Sequence, residues 1–513
     1  MLRAFAGAPH ESPSGRGVNT GLEGQSGNRA VRSRANTWIL VVIAGAQLMV
    51  ILDTTIMIIA LPSAQHALGF SDVDRQWVIT AYTLTFGGFL LLGGRISDMV
   101  GPKRTLMVGV IGFALASSLG GASQSLGMLI VARGLQGAFG ALLAPSVLSL
   151  LTTTFSDPHE RARAFGVYAT IAIGGAAVGL IVGGLLTQYL DWRWCLYVNV
   201  PISVVVVFSA SALIPTQPGH RDVCLDVPGT LLGCGGLVAL VYALGEASVD
   251  GWSSAAVLSA FAAAAVLLSV FVVLQTKVAS PLLPMRIVAD RNRAGSFLCI
   301  MLAIIANYGM FLFLTYFLQT IEHYSPVRTG FAFLPLMVVN GLAATQLASR
   351  LMPRVRTRML IVPGLLIAAV GAALLTQLTP GASYVAHVLP TELLLGLGLG
   401  IALVPFINTA TSNAEPRDAG VTAATTNTSQ QIGASIGTAL LNTIAASATA
   451  GYLATHAAGT GIEVTATVHG YAVASAYSAT ILVVAAVLGG ILINNSPSPA
   501  RARLPDPAVA PGR

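Results

Sequence analysis

Residues 48–61 read L-M-V-I-L-D-T-T-I-M-I-I-A-L. A single carboxylate, Asp53, interrupts an apolar run that extends far enough to cross a bilayer. Insertion scales put the cost of an aspartate at the centre of a membrane helix at ~2.5–3.5 kcal/mol, so acids at that depth mark ion or substrate pathways. Whether this run is a membrane span or the core of a soluble helix decides the fold. The rest of the chain answers.

Of 513 residues, 54% are hydrophobic and 9% charged, and the mean hydropathy is +0.76. A soluble domain carries roughly 25% charged residues, so most of this chain belongs in lipid. Stretches near the ~20 residues that cross a bilayer recur along it. They fall at 38–60, 76–94, 105–123, 127–151, 164–187, 196–214, 228–247, 254–275, 295–319, 330–349, 359–377, 387–410, 429–449 and 472–493, which makes fourteen spans. Residues 1–36, rich in Gly, Ser, Asn and Arg, read as a disordered basic tail and not as a cleaved signal. The four cysteines show no C-x-x-C spacing and the eight histidines no H-x-x-x-H pair, so neither a metal nor another cofactor is expected.

Charge placement tests the count. With both termini in the cytoplasm, only Arg75, Arg193 and Arg328 of the 27 Lys and Arg fall in outward loops, and only Arg133 falls inside a span. That is the positive-inside pattern, and a shift of one helix would scramble it. The net charge of +7 is therefore topological, and no nucleic-acid partner is expected.

The spans repeat. The fourth carries Arg133 with Gly137 four residues on and Pro145 further along; the twelfth carries Glu392, Gly396 and Pro405 in the same order. The fifth has Gly175, Gly179 and Gly183, and the thirteenth Gly433 and Gly437. The expected fold is an all-α integral membrane protein of two pseudo-symmetric six-helix halves with two inserted helices. The expected divisions are a tail at 1–36, halves at 37–215 and 278–494, inserted helices at 216–277 and a cytoplasmic tail at 495–513. Such repeats characterise transporters that rock about a central site.

Four motifs carry a resemblance. G-R-I-S-D-M-V-G-P-K-R-T-L (94–106) lies between spans 2 and 3, V-A-R-G-L-Q-G (131–137) in span 4, D-W-R-W-C-L-Y-V-N-V-P (191–201) at the entry to span 6, and L-D-T-T-I-M-I-I-A-L-P (52–62) in span 1. Together they resemble the major facilitator superfamily, and within it the fourteen-helix drug:proton antiporters. The resemblance covers nearly everything after residue 36 and implies a major-facilitator fold. It departs from the family pattern at Leu180, where the helix-5 motif usually has Pro, and at Ile58, where the helix-1 motif usually has Asn.

By that resemblance Arg133 is associated with proton coupling. At 1.5 Å per residue Arg133 lies ~10 Å and Asp53 ~13 Å below the outer ends of their spans, so the two can meet. A carboxylate beside a guanidinium stays ionised until the partner moves, which is the physics of a proton switch. Glu392, at the place of Arg133 in the second half, is the third proton-coupling candidate: it either faces Arg133 or binds a cationic substrate, or else only reaches the headgroups or the helix N-terminus.

Gly94, Asp98, Gly101, Lys103 and Arg104 match the superfamily's loop signature, which reads as a conformational latch of ion pairs or as an anchoring cluster of charges. Gly175, Gly179 and Gly183, with Gly184, form a packing face for a sliding helix or for static close approach. Tyr82, Gln136, Asn307, Tyr308, Asn340 and Gln346 are polar or aromatic groups inside spans, either substrate contacts or interhelical hydrogen bonds.

No G-x-x-x-x-G-K-[ST] phosphate loop is present, so an ion gradient is the expected energy source. The expected function is proton-coupled export of a small lipophilic or cationic compound by alternating access. The partners are that compound, protons and the bilayer, and the protein is a monomer in the cytoplasmic membrane of a bacterium. Uptake or facilitated diffusion is the alternative within transport, and a non-transporting sensor the alternative outside it. No nucleophile–base set or metal cluster supports an enzyme.

Overall fold

The computed structural model describes residues 20–494, apart from 156, 220–224, 248, 279, 413–418, 458 and 460. In chain order the long helices are α1 (Thr20–Leu68), α2 (Gln76–Val100), α3 (Pro102–Gly121), α4 (Leu126–Thr154), α5 (Pro158–Tyr189), α6 (Trp194–Leu213), α7 (Val227–Glu246), α8 (Ala255–Lys277), α9 (Arg291–Ile321), α10 (Pro326–Leu351), α11 (Arg358–Gln377), α12 (Tyr384–Thr411), α13 (Gly420–Thr455, the described part of a helix that starts at Ala419) and α14 (Ile462–Leu492). Among the described residues, thirteen of these have a stretch long and apolar enough to span a membrane. The exception is α5, whose apolar stretch, Gly174–Tyr189, is shorter. The fold class expected from the sequence holds; the count of fourteen spans rests on α5.

In lipid every backbone N–H and C=O needs an internal partner, which leaves helices as the spanning element. Their ends carry recognisable starts. Asp226 Oδ1 accepts from the Gly229 N–H at 2.8 Å and Asp290 Oδ1 from the Arg293 N–H at 2.9 Å, and Pro102 opens α3 without an N–H to strand. The first helix corrects one expectation. It begins at Thr20, so the basic segment from there continues the first span as helix. No proline follows Pro13 before the span, and extending a formed helix adds a hydrogen bond with each residue it fixes. Residues 1–19 and 495–513 lie outside the described residues.

Helices α1–α6 pack on one another, α9–α14 likewise, and α7 pairs with α8. The span of α8 is 11% buried inside the protein and that of α9 72%. The inserted pair is therefore peripheral, with α7 seated against α2 and α13.

The repeat seen in sequence is a repeat in packing. Gly137 of α4 lies on the backbone of α2 at Tyr82 and Phe86, and Gly396 of α12 on that of α10 at Leu336 and Asn340. Gly183 of α5 lies on Ile56 of α1, and Gly437 of α13 on Ile305 of α9. Close approach of backbones through small residues is how membrane helices gain packing without a hydrophobic driving force.

The two halves meet through α5 with α10 and through α2 with α13. A Cβ on Gly184 would fall 2.7 Å from Pro326 O, and one on Gly87 2.7 Å from Gln431 Cβ. Several hydrogen bonds between the halves lie at the end where α1 turns into α2, while Thr428 Oγ1 donates to Gly87 O further along α2 and Arg95 Nη2 to Pro281 O at its other end. Tyr316 Oη donates to Gln65 Oε1 at 2.5 Å, Gln319 Nε2 to Ile59 O at 3.0 Å, and the Val327 N–H to Gln188 Oε1 at 3.2 Å.

Candidate functional site

Asp53 and Arg133 form an ion pair of 2.7 Å between Oδ2 and Nη1, with each residue 1% exposed. The carboxylate is held from two helices besides its own, and a third backs them. Oδ1 accepts from Gln136 Nε2 at 2.9 Å on α4 and from Asn199 Nδ2 at 2.8 Å on α6. Both amides also reach Ser117 Oγ on α3, at 3.0 and 2.9 Å, and that hydroxyl donates to Leu196 O at 2.8 Å. Arg133 in turn donates from Nε to Val78 O at 3.2 Å and from Nη1 to Gln136 Oε1 at 2.9 Å. Its guanidinium lies 4.4 Å from the centroid of the Tyr82 ring, a cation–π contact.

Every neighbour within hydrogen-bond reach of Asp53 is a donor, so the geometry is that of an ionised carboxylate. A buried ion pair is costly unless its remaining donors and acceptors are met, and here most are. Among the described residues, Asn199 Oδ1 and Tyr82 Oη find no hydrogen-bond partner. Asn199 and Ser117 are the members that sequence reasoning missed. Asn199 sits in the quoted 191–201 motif, so its place there was a signal; Ser117 carries no signal at all.

Gln136 was expected among the substrate contacts. It is fully buried and both ends of its amide are used inside the cluster, so it belongs with Asp53 and Arg133. Tyr82, also buried, stacks beneath Arg133. Tyr308 on α9, half-buried, is within electrostatic reach of both Arg133 and Tyr82 from the opposing half. Asn307 on α9 and Asn340 on α10 are half-buried, and Gln346 is exposed in the stretch Ala343–Ala348, where α10 widens into π-helix. None of these last three is hydrogen-bonded to the Asp53 cluster.

Glu392 does not face Arg133. It is buried on α12, where Oε2 accepts from or donates to Tyr384 Oη at 3.1 Å, and that phenol reaches Ala332 O of α10. The reason is the repeat itself: α4 turns its residue toward α2, and α12 turns the matching residue toward α10.

At the loop signature, Gly101 has φ +99° and ψ 142°, a conformation open to glycine, and a Cβ there would strike Gln217 O. A Cβ on Gly94 would meet nothing nearer than Pro145 Cβ at 3.8 Å. Arg95 Nη2 donates to Pro281 O at 2.9 Å, and Lys103 Nζ to Ser211 O at 3.0 Å. These two cations thus hold backbone carbonyls ahead of α9 and on α6. Asp98 and Arg104 are exposed.

The glycine face of α5 brackets the buried acid. Gly175 faces Leu48 and Ile51, Gly179 faces Thr55 and Leu52, and Gly183 comes within 3.0 Å of Ile56 Cα by its Cβ position. Gly184 points the other way, to α10. Leu180, in place of the family's usual proline, is buried, and its carbonyl abuts Gly330 of α10.

Arg75, expected only as an outward loop charge, is 3% exposed and spans the two halves. Nε donates to Asn442 Oδ1 on α13 at 3.0 Å, Nη1 pairs with Asp72 at 3.3 Å, and the guanidinium lies 4.0 Å from the centroid of the Tyr316 ring on α9. Asn442 Nδ2 returns a bond to Asp72 O at 3.0 Å.

The Major Facilitator Superfamily model matches residues 43–438. The chain belongs to the major facilitator superfamily. Within it, the puromycin resistance protein pur8 of Streptomyces alboniger is 52% identical over 460 residues, covering 89% of this chain and 91% of that one. The cephamycin export protein CmcT of Amycolatopsis lactamdurans is 35% identical, covering 82% and 88%. The multidrug efflux pump LfrA of Mycolicibacterium smegmatis is 31% identical, covering 83% and 84%. Among solved structures, a bacterial homologue of the human lysosomal transporter Spinster, inward-facing and unoccupied, superposes with a TM-score of 0.62 at 17% identity, covering 89% of this chain and 97% of that one. The POT family transporter PepTSo gives 0.66 at 14% identity, covering 90% and 97%. At those identities the structures speak for the fold, which is the superfamily's.

Proposed function

We propose that this protein is a proton-coupled exporter of a small lipophilic or cationic compound, working by alternating access. One observation carries the proton: the Asp53–Arg133 pair is buried to 1% exposure inside a network that spans five helices of one half. Puromycin is the first compound to test, since the 52% identical relative is named for resistance to it. The weighting of Lys and Arg supports a topology with the α1–α2 end outside and both termini in the cytoplasm. The hydrogen bonds joining the halves at that end then describe a protein closed to the exterior.

A proton arriving at Asp53 Oδ2 takes the place that Arg133 Nη1 now fills. Arg133 keeps Val78 O, Gln136 Oε1 and the Tyr82 ring, all on α2 and α4, while α1 loses its ionic tie to α4. Because α1 also carries Gln65 and Ile59, which bond α9, a shift of α1 reaches the outer seam directly. Arg75, with Asn442 and Tyr316, is the clamp on the α2–α13 side of the same seam. The cycle then closes around a monomer, with the inserted α7 and α8 against lipid.

The test is uptake of puromycin into everted membrane vesicles that hold a preset proton gradient. Wild-type vesicles should accumulate the compound and dissipate the gradient. Asp53→Asn should insert normally and lose gradient-driven accumulation. Equal accumulation with the gradient collapsed, or unchanged accumulation in the variant, overturns proton coupling through Asp53.

A further inference from the structure

The carboxyl of Glu392 is fully buried, and its two oxygens differ. Among the described residues Oε1 has no hydrogen-bond partner, while Oε2 lies 3.1 Å from Tyr384 Oη. The same phenol lies 2.7 Å from the carbonyl oxygen of Ala332 on α10. A phenol has one proton to give, and a backbone carbonyl can only accept. The shorter contact takes the Tyr384 proton. The 3.1 Å contact then needs a proton from the other side, on Glu392 Oε2. An ionised Glu392 would instead have to draw the Tyr384 proton away from the nearer Ala332 O, and would leave a charged Oε1 bare in the protein interior, the costliest way to bury a polar atom.

No cation compensates. Among the described residues, Glu392 is in none of the ion pairs, which include Arg75–Asp72, Arg133–Asp53 and Arg193–Asp191. Other titratable groups near this end of the second half are engaged elsewhere. Tyr324 faces Tyr384, Arg328 stacks 3.6 Å over the Tyr324 ring, Glu322 Oε1 accepts from the Gly381 N–H, and His387 turns to Ser383 O. From α10 the group that reaches this site through Tyr384 is the Ala332 carbonyl.

We propose that Glu392 is a second proton-binding site, in the C-terminal half, which holds a proton in the conformation where Asp53 holds none. Release is an acid dissociation to water: the Oε2–H bond breaks, the electron pair stays on the carboxylate, and hydronium forms. The hydroxyl of Tyr384 then rotates from Ala332 O to the new carboxylate. Protonated, the site ties α12 to α10 through Tyr384; ionised, it lets that tie go. Since α10 packs on α5 of the other half, the switch sits one helix away from the seam. Its transport consequence rests on the export reading above, but the protonation itself does not.

Infrared spectroscopy of the purified protein in liposomes, without substrate, tests it at neutral pH. The carbonyl stretch of a protonated carboxyl should be present in the wild type, lost in Glu392→Gln and retained in Asp53→Asn. Tyr384→Phe should keep the band but shift its frequency, because the acid loses its acceptor. An unaltered band in Glu392→Gln, or an unshifted one in Tyr384→Phe, overturns the assignment. In the vesicles, Glu392→Gln should support a smaller substrate gradient at the same proton gradient; full accumulation overturns its part in coupling. If Asp53→Asn vesicles export normally, coupling through Asp53 fails while the infrared result stands by itself.

Discussion

Arg75 of α2's entry and Asn442 of α13 are joined by a 3.0 Å hydrogen bond from Nε to Oδ1 across the seam between the halves. The guanidinium is almost entirely enclosed, lying over the Tyr316 ring with Asp72 as its counter-ion. A charge buried between two bodies is stable only while both stay in place. Separation of the halves at this end therefore has to break the clamp first.

Arg75→Ala should accordingly favour the conformation open at the α1–α2 end. A desolvated cation–π contact is worth about 2 kcal/mol, and that energy moves a two-state equilibrium by a factor of roughly 30. Spin labels on His66→Cys and Thr455→Cys, both exposed at this end, read the opening as a distance in a background without native cysteines. The distribution should move to longer separations in Arg75→Ala. An unchanged distribution would remove Arg75 from the closing of this face.

The glycines of α5 differ in what they touch, and their variants should differ with them. Gly183 faces backbone atoms of Ile56, which cannot swing aside, whereas a Cβ on Gly174 would meet nothing within 4 Å. Gly183→Ala should cost about 1–3 kcal/mol by overpacking and lower the unfolding temperature. Gly174→Ala should leave it in place. Gly175 faces the flexible end of Leu48, at 3.0 Å, and its alanine variant should fall between the two. Thermal unfolding in detergent ranks all three.

How much of this was legible in the sequence depends on the kind of residue. Asp53 and Arg133 stand out because a charge in an apolar run has to be answered, and equal depth along two helices brought them together. The glycine and proline spacings of spans 4 and 12, and of 5 and 13, gave the repeat, because close backbone approach tolerates few substitutes. Neutral polar groups gave no such signal. Ser117 and Asn199 look like any hydroxyl or amide in a span, and only the rotation of α3 and α6 turns them inward. Gln136 shows the converse: a polar residue beside Arg133 serves the cluster and not the substrate. Arg75 was hidden for another reason. Asn442 and Tyr316 lie more than 200 residues away in the other half, and a loop arginine beside Asp72 has a sufficient topological explanation without them.

Asn199 gives the network its most direct test outside the ion pair. Its Nδ2 is the one group on α6 that bonds Asp53, at 2.8 Å, and it also bonds Ser117, at 2.9 Å. Asn199→Leu removes both bonds at little change in volume and should destabilise the protein by about 1–3 kcal/mol. Substrate binding, measured by tryptophan fluorescence in the absence of a gradient, should survive. Gradient-driven export should fall, since the carboxylate loses one of the donors that fix its orientation. Loss of binding together with export would show that Asn199 shapes the substrate site instead.

The loop signature separates two glycines that sequence alone treats alike. Gly101 combines φ +99° with a side-chain position already occupied by Gln217 O, while Gly94 has 3.8 Å of room. Backbone strain of the first kind costs on the order of 1–3 kcal/mol before any clash is added. Gly101→Ala should therefore reduce folded yield and separate the α2–α3 turn from the segment at Gln217, where Gly219 packs on Met99 O. Gly94→Ala should fold as the wild type does. If Gly94→Ala also loses transport while keeping its folded yield, the defect has to lie in motion, because nothing static stands in the way of its methyl group. Fluorescence-detected size exclusion for yield, with vesicle export for activity, divides these outcomes. Equal yield for both variants would mean that the turn at Gly101 bends without cost, and the constraint on this loop would then rest with Arg95 and Lys103 and their two carbonyl partners.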